Sequence, residues 1–151
     1  MMNKNHEKLV RVVFELEPDE HGWPPVSTER MWAMELGGGQ YKIDNIPFYV
    51  RGVSSGDIVS ASSKDDILYF DKVIQDSEHC TLRIIFKKTT AIKKNELKDF
   101  LQKQNVAIET INDDFWAIDV PPSSNLSQIL SHLKGGEENK EWEYEEGKVK
   151  L

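Results

Sequence analysis

A single cysteine, Cys80, leaves no intramolecular disulfide and no cysteine-rich zinc site open to this 151-residue chain. No apolar run approaches the roughly 18–20 residues of a membrane span, and the opening MMNKNHEKLV lacks the apolar stretch of a secretory signal. A cytoplasmic protein without a membrane association is therefore expected. Positive charge is also in short supply, with 19 basic against 26 acidic residues and a formal net charge of −7. That balance disfavours general nucleic-acid or anionic-membrane binding, both of which rely on basic surface, and leaves a basic protein as a compatible partner. Catalytic signatures are absent too. There is no P-loop and no GxGxxG fingerprint, and no serine sits in GxSxG or SxxK. The histidines, His6, His21, His79 and His132, match no metal spacing such as HExxH. His79 and Cys80 are adjacent on an expected strand and point to opposite sides, so no metal and no cofactor are expected.

What the chain does contain is short strands joined by tight turns. Val10, Val12, Phe14 and Leu16 alternate along one strand face, and residues 17–25, with three prolines and a glycine, read as a loop. Residues 26–36 resume extended structure with Met31 or Trp32 turned inward. Gly37-Gly38-Gly39 supply the positive φ values of a hairpin, followed by Tyr41, Ile43, Phe48 and Val50 on a period-2 face. Ser55-Gly56-Asp57 turns into a strand at Ile58, and residues 67–74 form another. Five or six short strands before residue 76 suit a small SH3-like β-barrel. Trp32, Phe48, Tyr49 and Phe70 are expected mostly in its core.

Beyond residue 76 the period changes. Residues 80–86 read as a strand, and 92–104 as a helix with Leu97, Phe100 and Leu101 as its stripe. Residues 106–111 and 115–120 are strands around Asn112-Asp113-Asp114. Ser124 or Asn125 caps a second helix with Leu126, Ile129, Leu130 and Leu133 inward, which Gly135-Gly136 is expected to end. An acidic strand closes the series. The order is βαββαβ, the ferredoxin-like arrangement. The expected fold class is α+β: a flexible 1–7, a barrel over 8–76, and a ferredoxin-like domain over 77–151.

Two groups of residues stand out as candidate binding surfaces. Residues 137–147 hold six glutamates and one lysine. Glu137, Glu138, Glu141, Glu143, Glu145 and Glu146 are expected as its contact charges, with Trp142 or Tyr144 as an anchor. The lysines of 87–98 are expected to offset some of these acids. The second group, Trp23, Asp44, Tyr49, Arg51 and Asp57, could line a cleft between the two halves. Turn chemistry explains much of that group as well, since Asx residues and glycines build turns and prolines stiffen loops.

Five segments, VRVVFELEPDEHGWPPVSTERMWA, YKIDNIPFYVRGVSSGDIV, TLRIIF, AIDVPP and EWEYEEG, resemble in order and interval a bacterial family known only as domain of unknown function 4265. The resemblance runs from about Val10 to Gly147, with the lysine-rich helix and the KVKL end departing from it. It implies a soluble bacterial protein and brings no activity, so it transfers no catalytic residues.

The leading expectation is a non-enzymatic protein-binding module, of the immunity or inhibitor kind that neutralises a basic toxin. The alternative is a small-molecule-binding accessory protein or enzyme using the cleft. A large apolar cavity with converging polar groups would favour the second.

Overall fold

Nine strands and two helices make up the computed structural model, which describes residues 8–149, and together they form a mixed α+β fold. The flexibility expected of residues 1–7 concerns positions outside the described residues. The chain divides into two compact units, Met1–Ser77 and Glu78–Leu151. Among the described residues no helix is long and apolar enough to cross a membrane.

The first unit contains β1 (Leu9–Glu15), β2 (Thr28–Gly37), β3 (Gln40–Ile43), β4 (Ile58–Lys64) and β5 (Ile67–Gln75). Sequential neighbours pair antiparallel. The ladder then closes into a barrel through a short parallel seam, Val12↔Leu68 and Val13↔Tyr69. Gly37, Gly38 and Gly39 all have φ between 65° and 89°, which lets β2 reverse into β3 where a side chain would clash with its own backbone. Asp65 and Asp66, also at positive φ, make the two-residue turn from β4 to β5. Strand alternation places Val12, Phe14, Met31, Ala33, Ile43 and Val59 in the barrel core.

Two expectations for this unit are corrected. Trp32 is 42% exposed, because Met31 and Ala33 take the inward positions on either side of it. Its ring lies instead under the Arg11 guanidinium, 4.5 Å from the ring centre. Phe48 and Tyr49 do not lie in a strand: residues 44–57 form a loop, although Val50 and Val53 still reach the core. Pro47 has no N–H to give a ladder, and the amides that follow it bond to a side chain.

The second unit runs β6 (Cys80–Ile85), α1 (Ala91–Lys103), β7 (Ala107–Asn112), β8 (Phe115–Val120), α2 (Leu126–Glu138) and β9 (Glu143–Lys148). Its sheet has the order β7-β8-β6-β9, antiparallel throughout. Thr90 caps α1 by accepting from Lys93 N, and Asn125 caps α2 by accepting from Gln128 N. Ser124 has a different task, donating its hydroxyl to Gln104 O at 2.8 Å and so tying the start of α2 to the end of α1. Leu97, Leu101, Ile129 and Leu133 pack on Leu82, Ile84 and Ile118 of the sheet, each no more than 1% exposed.

Gly135-Gly136 does not terminate α2, which continues to Glu138 and is capped at Asn139. Gly136 is there for space. The Trp142 ring lies against it, leaving no room for a side chain.

Candidate functional site

The first unit carries an open aromatic groove, built from the end of β1 and two loops. Phe14 and Phe70 stack at its floor, with ring centres 4.5 Å apart. After β1 the chain enters the 16–27 loop, which Asp19 organises. Its carboxylate accepts the N–H of His21 at 2.8 Å and of Trp23 at 3.0 Å, and its own N–H donates to Trp23 O at 2.7 Å. These bonds hold its carboxyl below the usual carboxylate range, the Trp23 amide contributing most. The Trp23–Pro24 peptide is cis.

Across from Trp23 stands Tyr49, edge-on at 5.8 Å between ring centres and 63° between planes. Its position depends on Glu29 of β2, whose carboxylate accepts three successive N–H groups. Phe48 donates at 2.7 Å, and Tyr49 and Val50 at 2.9 Å each. A carboxylate filling such a nest of amides is a strong, charge-assisted anchor for the loop. The resulting cavity of about 460 Å³ has Phe14, Phe70 and Val50 below, Trp23, Pro24 and Tyr49 as walls, and Glu15, Glu17, Asp19 and Arg51 at its polar rim.

Of the five residues singled out for a cleft, the structure thus brings Trp23, Tyr49 and Arg51 to one cavity and leaves Asp44 and Asp57 out of it. Asp44 is exposed and donates its N–H to Trp32 O. Asp57 is fully buried and accepts from Ser54 N at 2.9 Å and Ser77 N at 2.8 Å, a loop clasp. Sequence reasoning missed Glu15, Glu17, Asp19 and Glu29. For Asp19 a signal was present: an Asx residue shortly before Trp-Pro-Pro is placed to bond the following amides.

The acidic C-terminal segment is largely engaged within its own unit. Trp142 is 5% exposed and donates Nε1–H to Leu133 O at 2.9 Å. Glu145 accepts from Arg83 Nε at 2.7 Å and Nη2 at 2.6 Å, and Arg83 itself is buried. Glu143 pairs with Lys87 at 2.6 Å and Glu141 with Lys93 at 3.4 Å, so two of the lysines expected to offset these acids do so. Glu137 accepts the Tyr144 N–H at 3.2 Å. Glu138 and Glu146 are exposed.

The groups with chemical potential have structural surroundings. His79 Nδ1 lies 2.8 Å from Asp119 Oδ2. Cys80 is buried in the sheet core, and His132 stacks on Phe100 at 3.8 Å. No group of three or more His, Cys, Asp or Glu among the described residues is placed to hold a metal ion.

The crystal structure of a hypothetical protein from Neisseria gonorrhoeae is similar in fold, with a TM-score of 0.80 and 20% identity over 96% of each chain. No curated protein matches the chain. Residues 29–144, which take in all of β2 but Thr28, the groove residues Tyr49, Val50, Arg51 and Phe70 with their anchor Glu29, and nearly all of the second unit, match one family throughout, and the chain belongs to it: "Domain of unknown function (DUF4265)".

Proposed function

We propose that the protein is a protein-binding module of the inhibitor or immunity kind, which covers the surface of a basic partner such as a toxin. The observation that supports this is the groove of the first unit, where an apolar aromatic floor and walls meet three rim carboxylates and one guanidinium. Buried aromatic anchors with a polar rim are the usual composition of an interface centre. The acidic balance of the whole chain adds a steering field toward a basic partner. We read the five-stranded unit as SH3-like. The β7-β8-β6-β9 sheet with its two helices we read as ferredoxin-like; such names bear on fold and leave function to the site.

Capture from the native host, with the wild-type chain and a Glu15→Lys, Glu17→Lys variant in parallel, tests this reading. A basic protein retained by the wild type, released by salt and lost with the variant is the expected result. Retention that is indifferent to both salt and charge reversal would sink it.

A small-molecule reading draws on Arg51, which places one cation beside two aromatic rings in the same groove. Binding of small aromatic anions that Arg51→Ala abolishes would favour it.

A further inference from the structure

We infer that the aromatic groove takes an arginine side chain from an extended segment of the partner, an inference that rests on the protein-binding reading above. Three features of the groove select this occupant. Its lining is aromatic: Trp23 and Tyr49 meet edge to face, at 63° and 5.8 Å between ring centres, and offer π surface to a flat cation. A guanidinium is planar and weakly hydrated, so it stacks on such faces at less desolvation cost than a compact ammonium. The floor beneath, Phe14 on Phe70, suits the apolar stem of the same side chain.

The second feature is charge. Glu15, Glu17 and Asp19 lie at the rim against Arg51 alone, an excess of negative charge. The amides of Trp23 and His21 favour the charged form of Asp19 and lower its pKa from the usual carboxylate value. A carboxylate meets a guanidinium with two parallel hydrogen bonds, a geometry that lysine cannot reproduce.

The third is precedent within the molecule. On the outside of the same barrel, Arg11 already lies over Trp32 at 4.5 Å, so this surface does accommodate a guanidinium on an indole. The cavity of about 460 Å³ exceeds a single side chain, which leaves room for a neighbouring residue of the segment. Arg51 is the one rim group that opposes the occupant.

The test uses the full chain and a blocked peptide of alternating Pro and Arg, with the same peptide made with Lys and with citrulline, the uncharged isostere of Arg. Calorimetry should show the Arg peptide binding about tenfold or more tighter than citrulline, and measurably tighter than Lys. Trp23→Ala should weaken the Arg peptide by about tenfold, and Arg51→Ala should strengthen it. Because Trp23 also shapes its loop, Glu15→Gln with Glu17→Gln gives a second, surface-only variant that should weaken binding while leaving the melting temperature unchanged. Equal binding of the Arg and citrulline peptides, or no effect of the double Gln variant, overturns the inference. The two readings fail separately. If a basic protein is captured through the groove and the peptides show no arginine preference, only this inference falls. If the peptides behave as expected and no protein is captured, the protein-binding reading falls and the groove chemistry stands.

Discussion

Gly136 lies directly against the indole of Trp142: a Cβ at position 136 would stand 1.9 Å from Cζ2 of that ring. The neighbouring Gly135 has nothing within 4 Å of the same virtual atom. Both residues sit inside α2, where Ala is the better helix former by about 0.8–1.0 kcal/mol. Gly135→Ala should therefore stabilise the protein by about 0.5–1 kcal/mol. Gly136→Ala should destabilise it by about 1–3 kcal/mol through overpacking, despite the same propensity gain. Denaturant melts of the two variants, side by side, check the opposite signs.

The Arg83–Glu145 pair yields a second contrast. Arg83 is 1% exposed and Glu145 23%, and the guanidinium packs so closely on Gly147 that a Cβ there would lie 2.8 Å from Nη1. Glu145→Gln should cost about 1.5–3 kcal/mol, since it replaces the charged acceptor of two guanidinium hydrogen bonds by a neutral one. Glu146→Gln, one residue along and exposed, should stay within about 0.5 kcal/mol. Equal effects at the two positions would show that Glu145 does not serve the core.

On α1 and α2 the leucine stripes are not equivalent. Leu101 is fully buried and Leu130 only partly so. Leu101→Ala should lose about 2–5 kcal/mol, with Leu130→Ala clearly less in the same melts.

His132 makes stability depend on pH. Partial desolvation of its ring, which stacks on Phe100, lowers its pKa from the ordinary 6.5, while Glu141 pulls more weakly the other way. The unfolded chain thus binds a proton more readily than the folded one between the two pKa values. This contribution is complete above about pH 6.5 and is lost as pH falls through that value toward the lower, folded pKa. Melting temperatures measured from pH 7.5 downward should fall, and His132→Phe should flatten that part of the curve.

Much of the strand and helix order was legible because it rests on local pattern. The alternation of Val10, Val12 and Phe14, the three glycines at 37–39 and the Leu97/Leu101 spacing each express a period that one element can satisfy alone. The misreadings arose where a distant residue decides. Trp32 is the local exception, turned outward because its own neighbours Met31 and Ala33 take the inward positions. Gly135-Gly136 looks like a helix stop until Trp142, beyond the helix, is seen to need the space. The groove followed the same rule: Trp23 and Tyr49 were visible as candidates, but Glu29 acts on Tyr49 from twenty residues away. Within 137–146 the role of Glu145 was hidden for a related reason, since the burial of Arg83 within an apolar strand gives no local sign of the carboxylate it pairs with.

The two-pair seam between β1 and β5 also bears on how the barrel forms. Every other pairing in the first unit joins consecutive strands, so those hairpins can assemble from chain that is already close at hand. Val12↔Leu68 and Val13↔Tyr69 instead join the first and last strands of the unit. Closing so long a loop carries the greatest entropic penalty of any contact in the barrel, and only two residue pairs offset it directly. The seam should therefore close last as the barrel folds and open first, so that whichever amide of Leu68 and Tyr69 faces β1 exchanges faster than those that face β4.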